Sequence, residues 1–404
     1  MKIAIIGGGA AGFFAAIAAK ENHPDASVVI FEKSHNILSK VKISGGGRCN
    51  LTNSCSNIID LAAAYPRGGN ALKRAFRIFD NMSTMRWFES RGVPLVIQDD
   101  HCVFPLSQNS QSIIDCFLAH TTKLGIKIEL EAGVKSIKKV SDQLELGFVG
   151  GKRPSRTFDK VIVATGGTPK RDGLVWLEKL GHKIEEPVPS LFTFKMPDEP
   201  VAELMGIVVE NSLVSIQGTK LKAAGPLLIT HWGMSGPAIL TLSALGARLL
   251  SEKNYNFNIQ VNWTSLRNQE VVVAQLQRIV AKHPKKQLSN HRPFLLPERL
   301  WLYLLQKSKL PASKEWSELG KSGMNKLVNI LTNDTYAVKG RTRFREEFVT
   351  CGGVSLESID FNTMQSKLCK NLYFAGEVMD IDGITGGYNF QAAWTTAFIA
   401  AKLN

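Results

Sequence analysis

The first 32 residues constrain the fold of this chain more than any other segment does. They read "KIAII", "GGGAAG", "FFAAIAAKEN" and "SVVIFE", which are a short apolar strand, a glycine turn, a run of helix formers and a second strand. A strand, a turn, a helix and a further strand in this order form a βαβ unit, which builds parallel sheets. The segment therefore predicts an α/β domain with a parallel sheet.

Three glycines of the turn have the spacing of a dinucleotide-binding fingerprint. Gly7, Gly9 and Gly12 fit G-x-G-x-x-G. In this pattern the first glycine permits the tight turn, the second lets a pyrophosphate approach the backbone, and the third lets the helix pack on the strand. The phosphates then lie at the helix N-terminus, where N–H groups and the dipole favour anions. Glu32 ends the second strand, where a carboxylate accepts hydrogen bonds from ribose hydroxyls.

Two later strands also run into glycines. They are "KVIVATGG" at 160–167 and "NLYFAGEV" at 371–378, and a glycine turn and an apolar helix follow the second. We predict one nucleotide-binding domain built from residues 1–189 and 350–404. A helix N-terminus aimed at the flavin N1–C2=O edge would stabilise a reduced flavin. The strand, glycine turn and helix that begin at residue 371 therefore favour FAD over NAD as the tightly held cofactor. NAD(P)H is expected as a transient donor of electrons.

The middle of the chain changes character twice. Residues 190–264 alternate in short β-like runs and predict the first part of a β-barrel, to which 329–349 return. Residues 265–328 have helical spacing broken by prolines and predict a small helical insert. This insert carries 12 Lys and Arg against four Glu, a net charge of +8. A solvated helical face is the favoured interpretation, and a nucleic-acid docking surface is the alternative.

The stretch "KVKISGGGRCNLTN" at 40–53 lies just beyond Glu32. Its glycines permit left-handed turns and close backbone approach, and successive N–H groups can form a concavity that accepts an anion. Arg48 is expected either near the pyrophosphate or flavin or in a structural ion pair. Cys49 has three interpretations: a redox thiol activated by its surroundings, half of a dithiol with Cys55, or a packing residue. The last is favoured.

Two side chains are candidate proton donors. His231 lies in "LLITHWGMSGPA" and could line a pocket, or be a turn histidine bonded to backbone. Tyr388, followed by Asn389, begins the last helix, so both side chains are expected to face the flavin or the substrate. The six cysteines have neither C-x-x-C nor zinc spacing, which predicts free thiols, a reducing cytoplasmic setting and no metal site.

Together these motifs resemble a known family, the BaiN/YhiN-like NAD(P)/FAD-dependent oxidoreductases of bacteria. The resemblance rests on "GGGAAG", "GRCNLTN", "ATGG", "THWGMSGPA" and "AGEVMDIDGITGGYN" and runs from end to end. It implies a glutathione-reductase-like FAD-binding Rossmann domain with an inserted β-barrel and a small helical insert. It also implies that FAD contacts come from Gly7, Gly9, Ala10, Ala11, Gly12, Glu32, Lys33, Lys42, Ser44, Gly45, Gly46, Arg48, Asn50, Val134, Thr165, Gly166, Gly376, Glu377, Asp382, Gly386, Gly387, Tyr388 and Asn389.

One loop departs from the family pattern. Residues 101–105 read "HCVFP", where relatives often read Gly-Arg-Val-Phe-Pro, so a basic residue is lost. The family's substrate is therefore not carried over. We predict an FAD-dependent oxidoreductase in which NAD(P)H reduces the flavin and hydride passes to an unsaturated or carbonyl small molecule between the FAD domain and the insert. No membrane partner is expected, and the oligomeric state is open. The alternatives are a flavin-dependent RNA-binding or RNA-modifying protein and a redox sensor working through Cys49.

Overall fold

A computed structural model describes residues 1–151, 153–341 and 349–404 of the chain. The predicted return to the barrel at 329–349 lies partly outside these residues. The chain divides into two compact units. The first contains Met1–Ser190 and the C-terminal segment, and the second is the continuous stretch that begins at Leu191.

In chain order, the strands of the described residues are β1 (Lys2–Ile6), β2 (Ser27–Phe31), β3 (Thr52–Asn53), β4 (Leu95–Ile97), β5 (Cys102–Pro105), β6 (Lys127–Glu129), β7 (Val134–Val140), β8 (Gln143–Phe148), β9 (Arg156–Phe158), β10 (Lys160–Val163), β11 (Ile184–Ser190), β12 (Phe194–Lys195), β13 (Val208–Ile216), β14 (Lys222–Thr230), β15 (Gly233–Ser235), β16 (Asn256–Asn262), β17 (Asp334–Lys339), β18 (Val349–Val354), β19 (Ile359–Asp360), β20 (Gln365–Ser366) and β21 (Leu372–Phe374).

The helices are α1 (Ala10–Asn22), α2 (Ser39–Gly47), α3 (Ile58–Ala63), α4 (Gly69–Ala75), α5 (Asn81–Glu89), α6 (Gln111–Lys123), α7 (Val175–Glu178), α8 (Pro237–Leu245), α9 (Ala247–Glu252), α10 (Gln269–Lys282), α11 (Glu298–Lys307), α12 (Gly320–Thr332) and α13 (Tyr388–Ala400). Within the described part of the chain, no helix has both the length and the apolar character needed to cross a membrane.

The main sheet of the first unit brings the three predicted strand-to-glycine junctions together. Its strand order is β19-β20-β21-β10-β1-β2-β6, and β21, β10, β1, β2 and β6 are parallel. The cores of these strands are apolar and buried. Phe31 of β2 packs against Phe148 of β8 (5.1 Å) and Phe158 of β9 (5.6 Å), so the small antiparallel sheet β7-β8-β9 covers part of the main sheet. Since the carboxyl ends of neighbouring parallel strands share one edge, the glycine turns after β1, β10 and β21 meet there. The predicted α/β fold is confirmed.

An aromatic cluster joins α1 and α13, the two helices that follow the glycine turns. The Phe14 ring lies 4.4 Å from Trp87 and 5.5 Å from Trp394, and Phe88 and Phe117 pack against the same group. All of these rings are buried. Burial of large aromatic side chains dominates core energetics, so this cluster holds the N-terminal and C-terminal ends of the chain in one domain.

The second unit contains an antiparallel sheet with the order β12-β15-β14-β13-β16-β17. A bridge between Phe194 and Arg341, and a bond from the Lys195 N–H to the Gly340 carbonyl (3.0 Å), join the first and last strands. The sheet is therefore nearly closed, as the barrel prediction expected. Helices α8 and α9 lie in a segment expected to be β throughout. They form because Pro237 occupies the first helical position and an Ala- and Leu-rich run follows.

A buried aspartate ties the helical segment to this sheet. Asp334 on β17 accepts from the Lys307 ammonium of α11 (2.6 Å) and from the Trp263 indole (3.0 Å). Burial raises the pKa of Asp334 although Lys307 acts in the opposite direction. Helix α12 continues to Thr332, four residues beyond the predicted end of the insert at 328.

A buried histidine in the first unit is held in its neutral form. The two ring nitrogens of His182 lie 2.9 Å from Ser358 Oγ and 3.1 Å from Ser366 Oγ, and its ring packs edge-on against Phe374. Burial, with a smaller contribution from Lys139, lowers the pKa of His182 from 6.5 to about 4.

We expect His182→Gln to flatten the pH dependence of stability. A histidine whose pKa is lowered on folding stabilises the protein fully above its unfolded pKa and loses that contribution as pH falls toward 4. Between pH 7.5 and 5, the wild type should lose about 2 kcal/mol of unfolding free energy that the variant does not lose. Urea denaturation of both proteins at the two pH values measures this difference, and equal losses would contradict it.

Candidate nucleotide-binding site

The three glycines of the first turn have different surroundings. Gly7 has φ 115°, and a Cβ atom there would lie 2.3 Å from the Ala164 carbonyl oxygen. A Cβ atom at Gly12 would lie 1.9 Å from the Gly7 carbonyl oxygen, whereas one at Gly9 would have no described atom within 4 Å. The first and third glycines are thus required by packing, and the second faces open space. This is the division of roles that the fingerprint predicts.

The N-terminus of α1 presents unused donors at this open space. The first intrahelical bond runs from the Phe13 N–H to the Gly9 carbonyl (3.0 Å), so the N–H groups of Ala10, Ala11 and Gly12 precede it. Among the described residues, no side chain caps this end. The free donors and the helix dipole therefore make it suitable for an anion.

Glu32, at the end of β2, is held in place by the protein. Its Oε2 accepts from the Gly8 N–H (2.7 Å), and its Oε1 accepts from both the N–H and the hydroxyl of Ser34 (2.9 Å each). A carboxylate has about four lone-pair positions, so it can still accept from a ribose hydroxyl. The segment before Val134 lies beside it, because the Ala132 N–H donates to the Glu32 carbonyl (2.8 Å). A Cβ atom at Gly133 would meet Lys33 at 3.2 Å.

The stretch with three glycines begins as a helix, which the sequence did not predict. Helix α2 starts at Ser39 and loses helical geometry at Ser44, and Gly45, Gly46 and Gly47 then adopt φ values of 57°, 68° and 85°. Three successive left-handed residues turn their N–H groups into a concavity of the kind that binds anions. The expected loop is therefore present, but only in the second half of the segment.

Arg48 is engaged by its neighbours. Its guanidinium lies 4.2 Å above the Phe104 ring, its Nε donates to the Gly45 carbonyl (3.2 Å), and its Nη1 donates to Gln108 (3.2 Å). Among the described residues no carboxylate pairs with Arg48, and its expected contact with the pyrophosphate or flavin stays a prediction. The contacts with Phe104, Gly45 and Gln108 hold the concavity of left-handed glycines against β5.

The environment of Cys49 favours a packing role. The residue is fully buried, has φ 63°, and donates its N–H to the Ser44 carbonyl (3.0 Å). Burial raises the pKa of the Cys49 thiol to about 12, and that of Cys55 to about 11. A reactive thiol requires a lowered pKa, so the structure does not support the redox-sensor hypothesis. Two other predicted contacts are also bonded locally: Ser44 Oγ donates to the Val41 carbonyl, and the Lys42 carbonyl accepts from Ser110 Oγ.

Two asparagines predicted to contact the cofactor hold the backbone around α13. With its amide oriented to satisfy both neighbours, Asn50 donates to the Thr52 carbonyl (3.0 Å) and accepts from the Gly387 N–H (3.2 Å). Asn389 accepts from the Gly383 N–H (2.8 Å) and donates to the Gly383 carbonyl (3.0 Å). Both side chains therefore fix the turn that precedes the helix.

The side chain of Asp382 is also committed to the protein. It is completely buried, forms an ion pair with Arg67, and accepts from Ser190 Oγ (2.8 Å). Burial raises the pKa of Asp382, although Arg67 lowers it. Both carboxylate oxygens are bonded within the protein, and the expected contact between Asp382 and FAD stays a prediction. Sequence reasoning missed Arg67, which belongs to no motif.

The glycines after β21 set how closely α13 approaches α1. Gly376 has φ 75°, and a Cβ atom there would lie 2.9 Å from the Ala11 side chain. The next residue, Glu377, accepts from the Thr350 N–H (2.7 Å) and forms an ion pair with Lys40 (2.9 Å). These contacts connect α2, β18 and the turn after β21.

The N-terminus of α13 repeats the arrangement of α1. Gly386 and Gly387 have φ values of 123° and 88°, and the first intrahelical bond runs from the Gln391 N–H to the Gly387 carbonyl (3.0 Å). The N–H groups of the first turn precede that bond, and no described side chain caps them. The turn after β10, with Thr165 and Gly166, lies against Gly7 at the same sheet edge.

Tyr388 is held at this helix end and keeps its proton. Its ring packs edge-on against Tyr65 at 6.1 Å, and its carbonyl accepts from the Tyr65 hydroxyl (2.6 Å). Burial, reinforced by Cys55, raises the pKa of Tyr388 to about 12. The phenol is therefore a donor at neutral pH.

His231 belongs to the second unit. It is exposed in the turn between β14 and β15, and its ring lies 4.5 Å from that of Trp232. In the loop that departs from the family pattern, His101 has φ 65°, a conformation that glycine adopts more readily.

A buried network that sequence reasoning missed supports the candidate site. Thr52 Oγ1 donates to Gln391 (2.6 Å), and Gln391 donates to Thr395 (2.9 Å). The Trp394 indole donates to the Leu51 carbonyl (2.9 Å). The sequence signal for this network was "NLTN" at 50–53, because Leu51 and Thr52 of this stretch bond side chains of α13.

A comparison with protein-family models shows where the chain belongs. The model described as the HI0933-like protein Rossmann domain matches residues 1–403. The chain is a member of the HI0933-like Rossmann family. This confirms the family resemblance drawn from the motifs.

Curated relatives cover nearly the whole chain. The 3-dehydro-bile acid delta(4,6)-reductase of Clostridium scindens is 26% identical, over 99% of this chain and 98% of the relative. The ribosomal RNA dihydrouridine synthase of Haemophilus influenzae is 28% identical, over 98% of this chain and 96% of the relative. Among solved structures, the 3-ketosteroid delta1-dehydrogenase of Sterolibacterium denitrificans has a TM-score of 0.51 at 11% identity, covering 99% of this chain and 98% of that chain. At this identity the structural likeness concerns the fold alone.

Two glycine variants separate packing from cofactor approach. We expect Gly9→Ala to fold with a stability change below about 1 kcal/mol, because the methyl group meets no described atom. Its FAD affinity should fall at least about tenfold, which corresponds to about 1.4 kcal/mol of binding free energy. The reason is that the methyl group occupies the space where a pyrophosphate would approach. FAD titration and thermal unfolding measure the two effects.

Gly12→Ala is the matched control. Its methyl group would overlap the Gly7 carbonyl, so this variant should lose about 1–3 kcal/mol of stability. Unchanged FAD affinity in Gly9→Ala would contradict the assigned approach.

Proposed function

We propose that this chain is an FAD-dependent oxidoreductase that reduces a carbon–carbon double bond conjugated with a carbonyl group, with NAD(P)H as electron donor. The observation that carries the proposal is the edge of the main sheet, where α1 and α13 both present uncapped N-termini after glycine turns. One such terminus suits a pyrophosphate, and the second suits the electron-rich edge of a reduced flavin.

The residues present fit an extended dinucleotide. The α1 N-terminus would hold the pyrophosphate, and Glu32, beside Lys33 and the segment before Val134, would hold the adenosine ribose. The left-handed glycines of α2 would line the path toward the flavin. When bound, FAD would accept a hydride from the nicotinamide and deliver it to the substrate carbon. The protein then has to orient the partners, exclude water and supply a proton.

The choice of reaction is supported by the chemistry that two printed activities share. The name of the C. scindens relative refers to a delta(4,6) bond system, and the H. influenzae relative forms dihydrouridine. Dihydrouridine is uridine with its 5,6 double bond saturated, and this bond is conjugated with a ring carbonyl. In the proposed reaction, hydride would add to a carbon of the conjugated system remote from the carbonyl, and a proton would complete the saturation of the double bond. A small unsaturated molecule is the first candidate substrate.

Such a reaction needs a proton donor. Tyr388, which lies in the first unit, is the first candidate. Its pKa of about 12 keeps the phenol protonated, and it begins the helix whose N-terminus is assigned to the flavin. His231 is the second candidate because it is exposed at a tight turn. Each would act as a general acid, which typically contributes 10²–10⁴-fold to a rate.

A uridine within RNA is the second candidate substrate. Two curated relatives, from H. influenzae and Escherichia coli, carry the name ribosomal RNA dihydrouridine synthase and are each 28% identical to this chain. The net charge of +14 favours an RNA partner over a neutral one. The donor, NADH or NADPH, is identified by the same experiment that separates the substrates.

The proposal is tested by separating the two half-reactions under anaerobic conditions. FAD-loaded protein is first reduced with NADH or NADPH, then mixed with a 3-oxo-Δ4,6 steroid, a uridine-containing RNA, a quinone or oxygen. We expect one of the first two compounds to reoxidise the flavin fastest and to be recovered with its double bond saturated. Reoxidation by oxygen or quinone alone would contradict the proposed reaction.

Tyr388→Phe tests the proton donor. Flavin uptake and reduction by NAD(P)H should be unchanged, while reoxidation by the conjugated substrate should slow by about 10²-fold. Tyr303→Phe is a matched control because Tyr303 lies in the second unit and its pKa is also raised to about 12. If Tyr388→Phe reoxidises as fast as the wild type and His231→Gln does not, the proton comes from His231.

A further inference from the structure

A turn in the second unit concentrates positive charge that the proposed reaction does not use. We call residues 282–295, from the end of α10 to the segment before α11, the basic turn. Lys282, Lys285, Lys286 and Arg292 are all exposed in it. In the part of the chain that the structure describes, none of the four forms an ion pair with a carboxylate. Carboxylates of the described residues therefore leave the charge of these four side chains unneutralised.

Two neighbouring carboxylates are already engaged. The segment with Glu315 and Glu318 lies against the basic turn, since the Trp316 N–H donates to the Lys286 carbonyl (3.0 Å). The two glutamates form a capping box, in which the Glu315 side chain accepts from the Glu318 N–H and Glu318 accepts from the Glu315 N–H (3.3 Å). With Lys314 included, this surface carries five cations against two carboxylates.

Two histidine rings contact each other within the basic turn. The ring centroids of His283 and His291 lie 4.4 Å apart, with an angle of 44° between the ring planes. The His291 ring also makes an edge-to-face contact with Trp316, with the ring centroids 6.5 Å apart. The pKa of His291 is lowered by burial first, and then by His283, Lys286 and Lys282. The cations therefore produce a positive local potential, which an anion would relieve.

The end of the basic turn presents an apolar side chain in a strained conformation. Phe294 and Leu295 have φ values of 56° and 54°, which non-glycine residues seldom adopt in succession. Leu295 is 97% exposed, whereas Leu296, which follows it, is buried. The Leu296 N–H donates to the Pro293 carbonyl (3.2 Å) and holds this geometry. Backbone strain of this kind clusters at active sites and ligand-binding sites.

We propose that the basic turn docks RNA through its phosphates, with Leu295 against the face of an unstacked base. The inference rests on the RNA candidate of the proposed function. Lys and Arg bind phosphate oxygens, and the exposed amides of Gln287 and Asn290 suit sugar and phosphate oxygens. RNA is favoured over an anionic membrane because a single exposed leucine among polar side chains offers little surface for insertion.

The test measures binding without turnover. The FAD-loaded full chain is titrated into a labelled RNA hairpin with uridine in its loop, at several salt concentrations. The variant Lys282→Gln, Lys285→Gln, Lys286→Gln, Arg292→Gln should bind at least tenfold more weakly at low salt. Its log–log salt dependence should be shallower by about three units, since each lost phosphate contact removes about 0.7–0.9.

A variant with the same change in net charge is the control. Lys253→Gln, Lys309→Gln, Lys321→Gln, Lys326→Gln also replaces exposed lysines of the second unit and should retain most of the affinity. Leu295→Ala should weaken hairpin binding but leave binding of a fully paired duplex unchanged. Equal losses in both charge variants, absence of RNA binding, or binding to phosphatidylglycerol vesicles in place of RNA would overturn the proposal. Flavin reduction by NAD(P)H should be unaffected in all variants, so failure of RNA docking is distinguishable from failure of the flavin chemistry.

Discussion

The close packing of backbone around the first glycine turn is the constraint on which the rest of the first unit depends. The Gly7 turn packs against the Ala164 carbonyl, Gly12 packs against the Gly7 carbonyl, and Gly376 packs against Ala11. No side chain larger than hydrogen fits at these three contacts without a shift of backbone or helix. They bring the turns after β1, β10 and β21 to one sheet edge, although the third of these strands lies more than 200 residues beyond the second in the sequence. The uncapped ends of α1 and α13 follow from this packing.

Polar side chains around the site chiefly preorganise backbone. Asn50 and Asn389 bond the backbone of the turn before α13, and Asp382, which lies in that turn, bonds Arg67 and Ser190. The expected contacts of these three residues with the cofactor stay predictions. An unsatisfied buried backbone group costs about 1–3 kcal/mol, so these residues stabilise a turn that would otherwise relax. The donors left facing outward are then backbone N–H groups, which hold their direction without loss of side-chain entropy.

The fold was largely predictable from sequence, and the site only in part. The βαβ unit, the returning strand and the near-closed barrel follow from periodicity and from glycine placement, because these patterns are local. The role of Arg67 could not be predicted, since its partner Asp382 lies 315 residues away and Arg67 belongs to no motif. The helical start of the "KVKISGGG" segment was missed because its glycines disfavour a helix, whereas the four residues before Ser44 do not. Cys49 could be interpreted only once its burial was known.

The two units have different roles in the proposed function. The first unit explains how a dinucleotide is held and how a proton is kept available on Tyr388, and the second explains how a large anion could be recognised. The central claim is that the first unit is built for FAD. Titration of the apoprotein with FAD, followed by competition with NAD⁺, tests it most directly. We expect that one FAD binds per chain, that flavin fluorescence changes on binding, and that NAD⁺ does not displace the bound FAD. Absence of FAD binding, or displacement of FAD by NAD⁺ at comparable concentration, would contradict the central claim.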